Sequence, residues 1–258
     1  MILAMDAGNS NIVLGCMENG KVLLTARVAT DRLKTEDEYA AVFSSILRMR
    51  GVDPSQMEGG ILSSVVPPLN STLLQAGKMV TGKRFLLVEP GIKTGLPLLV
   101  DNPAALGSDR IVDAVAAKAF YPCPLIVFDL GTCTTVSVVD REGAFRGGLI
   151  CAGVRISQEA LTSQTSQLPA ISLDPPKRAI GRNTVDSMRS GAIFGTAAQV
   201  DGLIDRIRAE IGEDATVIMT GGMGKRILPS CRHRILYDSD LLLKGLWLIY
   251  ERNRRDAS

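Results

Sequence analysis

Short apolar runs bounded by turn residues recur along the chain and predict β-strands. In the first half these runs cover residues 2–5, 12–14, 22–28, 61–66 and 84–88. A capping box from Thr35 to Glu38 is followed by apolar positions at helical spacing, which predicts a helix that ends at Gly51. A further helix is predicted over residues 69–80. The first half is therefore three adjacent strands followed by helix, strand, helix and strand.

A third helix is predicted to begin near Asn102 and Pro103, because asparagine is a good cap and proline is tolerated in the first turn. Gly107 is expected to break this region into two pieces. The break would leave Asp109 and Arg110 at a fresh helix N-terminus, ahead of an apolar helical run.

The second half repeats the first. Strands are predicted at 125–128, 136–139, 145–150 and 215–219, and helices at 153–162, after Asn183 and over 241–250. A shift of 123 positions carries Asp6 to Asp129, and the same shift carries two turn glycines, Gly8 and Gly20, to Gly131 and Gly143. This coincidence indicates an internal duplication. The predicted fold is an α/β protein with a mixed sheet flanked by helices in each of two domains, residues 1–120 and 121–258.

Composition narrows the class of protein. The chain has 258 residues, a net charge of +2, 46% hydrophobic residues and no basic stripe, so nucleic acid is not an expected partner. No apolar stretch has the length of a membrane span. Five cysteines without C-x-x-C spacing and a single histidine do not make a zinc site, and they fit a reducing cytoplasm.

Two loops lead with an acid and then offer glycine and small polar residues, one after Asp6 and one after Asp129. Such a loop can direct backbone N–H groups at phosphate oxygens, and the acid can hold Mg²⁺ directly or through water. Each loop alone is also explained by an ordinary hairpin turn. Two loops at matched positions, with a third small-residue turn at 220–222, favour nucleotide binding. The chain has neither a P-loop nor a dinucleotide fingerprint.

The segment from Gly107 to Arg110 lies between the two loops in sequence. Asp109 can take the proton of an attacking hydroxyl, and Arg110 can bind a carboxylate or phosphate in bidentate fashion. The alternative is a helix-start charge pair in which Asp109 favours the helix dipole.

With these patterns in place the sequence resembles the actin-like ATPase and sugar-kinase superfamily, and within it the type III pantothenate kinase family. The similarity runs nearly end to end and rests on residues 6–13, 35–39, 63–67, 101–103, 107–111, 129–132, 180–184 and 200–202. It implies two ribonuclease-H-like domains, a cytoplasmic homodimer, and ATP-dependent phosphorylation of pantothenate to 4′-phosphopantothenate in coenzyme A synthesis. The implied cofactors are Mg²⁺ with ATP and a monovalent cation, K⁺ or NH₄⁺.

The resemblance also implies roles for individual residues. The ATP contacts would be Asp6, Ala7, Gly8, Asn9, Ser10, Asn11, Ile12, Val13 and Thr132. The substrate contacts would be Val100, Gly107, Ser108, Asp109, Arg110 and Thr184. Asp109 would be the catalytic base, Asp129 the ligand of the monovalent cation and Asp6 a ligand of Mg²⁺.

This chain departs from the family pattern at a few positions. The family usually has a tyrosine that contacts pantothenate where this chain has Val100, so we expect the difference to affect substrate affinity more than the chemistry. Ser108 and Cys133 each replace a usual alanine, and Ala152 stands before Gly153 where a proline is expected. Two rival functions remain: a kinase for another small alcohol, and a non-catalytic regulator that retains the fold.

Overall fold

The computed structural model describes residues 1–254. The elements of the first half are β1 (Ile2–Ala7), β2 (Asn11–Glu18), β3 (Lys21–Ala29), α1 (Glu36–Met49), β4 (Gly59–Ser64), α2 (Asn70–Thr81), β5 (Phe85–Leu87) and α3 (Ser108–Phe120). Those of the second half are β6 (Leu125–Leu130), β7 (Cys133–Val139), β8 (Phe145–Ala152), α4 (Val154–Gln164), α5 (Thr184–Ser190), α6 (Thr196–Ile211), β9 (Thr216–Thr220), α7 (Gly224–Ile227), β10 (Leu236–Tyr237) and α8 (Leu241–Asn253). A π-helical segment, Gly191–Gly195, joins α5 to α6.

The chain forms two compact units, the first made of residues 1–119 with the segment that begins at Asp240, the second of residues 120–239. The first unit contains a five-stranded sheet in the order β3-β2-β1-β4-β5. Strands β1, β2 and β3 are antiparallel neighbours, and β4 and β5 continue the sheet in parallel with β1. This is the mixed sheet that the sequence predicts.

Helices cover both faces of the first sheet. Alternate residues of a strand point to opposite faces, so Leu3 and Met5 pack with Phe43 of α1 and Leu73 of α2. The opposite face is glycine-rich at its contact with α8: a Cβ at Gly15 would lie 2.5 Å from the side chain of Leu243. The last helix therefore belongs to the first unit. The sequence instead predicts that this helix lies in the second domain, residues 121–258. Residues 255–258 lie outside the part of the chain that the structure describes.

The second unit repeats the topology with the order β10-β9-β6-β7-β8. Strands β6, β7 and β8 are antiparallel neighbours, and β9 and β10 are parallel to β6. Ile126 and Phe128 pack with Val200 and Ile204 of α6 in the core. No helix within residues 1–254 is long and apolar enough to cross a membrane.

A β-bulge lies at the same place in both sheets. In the first hairpin the pairing of β2 with β3 slips between Cys16 and Met17, and in the second that of β7 with β8 slips between Val138 and Val139. The slip leaves an extra residue on the outer strand, Leu23 in one copy and Arg146 in the other, 123 positions apart. Two bulges at equivalent positions agree with the predicted duplication, since bulges are retained features of a strand pair.

Candidate active site

The first predicted phosphate turn joins β1 to β2 directly after Asp6. Asp6 is paired with Val13 on β2 and with Ser63 on β4, so it lies in the middle of the sheet near the carboxyl end of β1. The turn is closed by a hydrogen bond from the Gly8 N–H to the carbonyl of Asn11, at 3.0 Å. The exposed side chains here are small and polar: Asn9, Ser10 and Asn11. Such a turn leaves its backbone open to an anion.

Two of the residues predicted to contact ATP have side chains in the hydrophobic core. Ala7 and Ile12 are both 0% exposed and pack in the first unit. They can therefore offer a nucleotide only main-chain groups. Val13 is half-buried.

A loop after β3 supports the first turn, and sequence reasoning missed its role. The Thr30 hydroxyl donates to the Gly8 carbonyl at 2.7 Å, and the Thr30 N–H donates to the Ser10 carbonyl at 3.1 Å. Nη2 of Arg32 donates to Oδ1 of Asn9 at 3.2 Å. No turn pattern in the sequence marks these residues. Their place beside the first turn follows from the pairing of β3 with β2, and the sequence predicts that these strands are neighbours but not which residues are paired.

Helix α3 begins at Ser108, as the predicted break at Gly107 requires. Oδ1 of Asp109 accepts a hydrogen bond of 2.8 Å from the backbone N–H of Arg110. A Cβ at position 107 would lie 2.5 Å from the same Oδ1. Gly107 therefore gives the carboxylate room to fold over the start of the helix, where the local dipole also stabilises negative charge.

Burial acts on both members of the Asp109 and Arg110 pair. Burial raises the pKa of the Asp109 carboxyl above its ordinary value, although the Arg110 N–H and the guanidinium charge act in the opposite direction. Burial also lowers the pKa of Arg110, and the charge of Asp109 opposes this. Arginine remains protonated at any working pH because its ordinary pKa is so high. The result is a partly desolvated acid beside a permanent cation.

The second predicted turn follows β6 beside Asp129. Asp129 is paired with Thr135 on β7 and with Thr220 on β9. A Cβ at Gly221 would lie 2.2 Å from Oδ1 of Asp129, and Gly221 has a φ of +86°. The predicted third turn therefore lies against the acid of the second, and Gly221 permits both its own backbone conformation and the close approach of the carboxylate.

Thr132 is held in the second turn by a close approach of its backbone to the chain after β8. A Cβ at Gly153 would lie 2.1 Å from the Thr132 carbonyl oxygen. Gly153 precedes α4, so this contact ties the turn to the start of that helix. Gly153 is therefore required at this position, whether alanine, as here, or the proline expected from the family precedes it.

Thr184 is the first residue of α5 and is exposed. The helix is capped by Asn183, whose Oδ1 accepts from the Asp186 N–H at 2.8 Å. Thr184 lines a cavity of about 840 Å³ within the second unit, together with Arg182 and Asn183. Val100 is half-buried in the irregular segment between β5 and α3 of the first unit.

The structure thus groups the predicted residues by unit. The turn after Asp6 and the start of α3 lie in the first unit, and both contact the end of β4. Asp129, Thr132 and Thr184 lie in the second. Within residues 1–254 no group of three or more His, Cys, Asp and Glu side chains is placed to hold a metal ion.

Comparison with known proteins was made for the sequence and for the fold. The family model described as type III pantothenate kinase matches residues 2–206. A type III pantothenate kinase of Exiguobacterium sp. is 46% identical over 255 residues, which cover 99% of this chain and 100% of the relative.

Solved structures agree at the level of the fold. A Baf family transcriptional activator from Campylobacter jejuni superimposes with a TM-score of 0.62 at 19% identity, covering 98% of this chain and 99% of that one. A ROK hexokinase from Thermus thermophilus gives 0.51 at 14% identity, with 99% of both chains covered. At such identities the similarity concerns the fold alone.

Proposed function

The chain belongs to the type III pantothenate kinase family, and from this premise we propose how its residues carry out the ATP-dependent phosphorylation of pantothenate. The enzyme is a phosphotransferase whose product, 4′-phosphopantothenate, begins coenzyme A synthesis. Asp109 takes the proton of the attacking primary hydroxyl. The turns after Asp6 and Asp129 hold the phosphates of ATP.

The observation that carries the role of Asp109 is its environment at the start of α3. Its carboxylate is partly desolvated, it is oriented by the Arg110 N–H, and it lies beside a guanidinium that can bind an anionic group. Phosphoryl transfer depends chiefly on positioning and on charge stabilisation, since its transition state is loose. A fixed carboxylate whose pKa is raised by burial is suited to orient the hydroxyl and accept its proton.

The phosphate contacts are proposed for the two duplicated turns. Residues 9–11 offer main-chain groups and small polar side chains, and Thr132 offers a hydroxyl at the equivalent place in the second unit. Small residues matter because they let phosphate oxygens approach the main chain. Thr30 and Arg32 keep the first turn in place.

Two cations accompany this proposal, and the donor chemistry fits both. Mg²⁺ is usually held by one or two carboxylates together with substrate phosphates, so Asp6 beside the first turn suits it without a larger cluster of side chains. Asp129 would hold K⁺ or NH₄⁺ through its carboxylate, which Gly221 allows to lie close to the third turn. When bound, Mg²⁺ neutralises the charge that develops on the transferring phosphoryl group.

Recognition of pantothenate is proposed for Arg110 and Thr184. The guanidinium of Arg110 matches the substrate carboxylate in bidentate geometry. Thr184 is an exposed residue that lines the cavity in the second unit, and its hydroxyl can donate or accept a hydrogen bond. Family membership also supports a cytoplasmic homodimer as part of this proposal.

A coupled kinase assay tests the function. The purified chain is incubated with Mg-ATP and either pantothenate or a panel of small primary alcohols, with and without K⁺. Pantothenate is expected to be the preferred acceptor. The panel is needed because Val100 removes a usual aromatic contact, and preference for another alcohol would identify a different kinase. Absence of phosphorylation with every acceptor would favour a non-catalytic regulator.

Substitution of Asp109 tests the mechanism in the same assay. Asp109→Asn keeps the size of the side chain and an oxygen that can accept from Arg110, but it removes the base. We expect turnover to fall by about 10²-fold or more while ATP binding changes little. Near-normal turnover would show that Asp109 is not the base.

A further inference from the structure

Ser108 lies directly before the proposed base, and its hydroxyl is buried rather than open to a substrate. The residue is 8% exposed. Its Oγ accepts from the Ser64 N–H at 3.1 Å, donates to the Ser64 carbonyl at 3.0 Å, and lies 3.1 Å from Oγ of Ser63. The side chain therefore bridges the N–H and the C=O of a single residue at the end of β4.

The directions of these hydrogen bonds follow from the single proton of a hydroxyl. Since Ser108 donates to the Ser64 carbonyl, it has no proton left for Ser63, and Ser63 must be the donor in that pair. Ser63 is 0% exposed, so its hydroxyl depends on this acceptor. With one donation and two acceptances, the hydroxyl of Ser108 is saturated.

The end of β4 is also tied to the first phosphate turn. Ser63 is paired with Asp6, and the Val65 N–H donates to the Ala7 carbonyl at 3.0 Å. The hydrogen bonds thus run from the strand that carries Asp6, through Ser63 and Ser64, to the first residue of α3. All of these residues belong to the first unit.

We propose that Ser108 is a positioning residue, whose hydroxyl fixes the start of α3 to the end of β4 and so sets Asp109 at a defined place relative to the turn after Asp6. This role rests on the proposed function of Asp109 as base. The pantothenate contact expected of Ser108 would then come from its main chain, because its hydroxyl is buried and its hydrogen bonds are made within the protein.

Three variants test this role. Ser108→Ala removes the bridge and leaves the Ser63 hydroxyl without its acceptor. Ser108→Thr retains the hydroxyl. Thr81→Val is the matched control, because Thr81 is a buried hydroxyl of the same unit that donates to a backbone carbonyl, that of Gly77 at 2.9 Å, far along the chain from the proposed site. The measurements are kcat, KM for ATP and for pantothenate, and the midpoint of urea unfolding.

Because the family usually has alanine at this position, Ser108→Ala is expected to lower kcat only a few-fold, with KM for ATP nearly unchanged, as a slight displacement of a catalytic group would. Ser108→Thr is expected to restore most of kcat. Thr81→Val is expected to lose stability as Ser108→Ala does but to keep kcat. If Ser108→Ala lowers kcat no more than Thr81→Val does, the positioning role is wrong.

Two further variants, Ser108→Cys and Asp109→Asn, complete the test. If Ser108→Ala does not fold, Ser108→Cys retains the volume with a weaker hydrogen-bonding group, and the same drop in kcat is expected of it. Asp109→Asn is assayed in parallel. Full turnover by Asp109→Asn would overturn the base assignment and the positioning role with it, whereas an inactive Asp109→Asn beside a normal Ser108→Ala would overturn the positioning role alone.

Discussion

At Asp109, burial and hydrogen bonding act in opposite directions on one carboxyl group. Burial is the larger effect and raises the pKa, while the N–H and the charge of Arg110 lower it. Gly107 contributes by leaving space for the carboxylate, which would otherwise meet a Cβ at 2.5 Å. The carboxyl group is therefore harder to ionise in the folded chain than in the unfolded chain, so its negative charge costs stability, as is common for groups in active sites.

This cost gives a prediction for stability. The native chain binds the proton of Asp109 more tightly than the unfolded chain does, so its contribution to stability declines as pH rises from the ordinary value of 3.8 through the raised pKa. Asparagine carries no such penalty. We expect Asp109→Asn to be more stable than the parent at neutral pH and to lose that advantage below pH 3.8. Urea unfolding across this range measures it, and a difference independent of pH would contradict it.

Among the strands and helices, the two hairpins show how a duplicated element keeps its geometry while its turns diverge. In the first hairpin Ala7 pairs with Ile12, whereas in the second Leu130 pairs with Thr134, so the second of the two proposed phosphate turns is one residue shorter. The bulges nevertheless coincide. Since the side-chain period of a strand is two, a lost residue has to be absorbed in a turn if the same faces are to stay buried.

The glycines of the second unit allow an element-scale prediction with an internal control. Gly221 and Gly212 have φ of +86° and +71°, so alanine at either is strained by about 1–2 kcal/mol. Only at Gly221 would the new Cβ also meet Asp129, since nothing lies within 4 Å of it at Gly212. We expect Gly221→Ala to lower kinase activity by about tenfold or more.

Gly212→Ala is expected to lose stability alone, because its Cβ would stand in open space at the end of α6. Steady-state kinetics and thermal unfolding of both variants separate backbone strain from the clash of the new Cβ with Asp129 and with the Leu130 backbone, 2.6 Å away. Equal loss of activity in the two would argue against a role for the contact with Asp129.

Local patterns predicted the elements that carry strong local signals. The capping box is confirmed, with the Thr35 N–H donating to Glu38 at 2.8 Å, and the break at Gly107 is confirmed by the start of α3. The two-residue strand β10 was missed because it is too short to show an alternating pattern. The bridge from Ser108 to Ser64 was missed for another reason: it joins residues far apart in sequence, and no local pattern encodes such a contact.

At the scale of the whole molecule, the two units are not two consecutive halves of the chain. The last helix, α8, follows the second unit in sequence but packs on the first sheet, where Gly15 and Gly59 make room for Leu243 and Tyr250. The apolar face of α8 was predictable from its periodicity. Which of the two sheets it covers was not predictable, because an apolar helix face can pack on any apolar surface. The glycines of the first sheet, which lack side chains, are what make room for α8 there.

The packing of α8 extends to the helix that carries Asp109. A Cβ at Gly245 would lie 2.1 Å from the carbonyl oxygen of Val112 in α3. Gly245→Ala should therefore push the two helices apart, with a loss of about 1–3 kcal/mol from overpacking. Because the same displacement reaches the start of α3, we also expect kcat to fall several-fold.

Gly202→Ala is the matched control for Gly245→Ala. Gly202 lies within α6 of the second unit, and nothing lies within 4 Å of its Cβ position. Alanine there should stabilise the helix by up to about 1 kcal/mol and leave kcat unchanged. Urea unfolding and steady-state kinetics test both variants. If Gly245→Ala behaved as Gly202→Ala does, α8 would not support the helix that carries Asp109, and the C-terminal segment would have no part in positioning the proposed base.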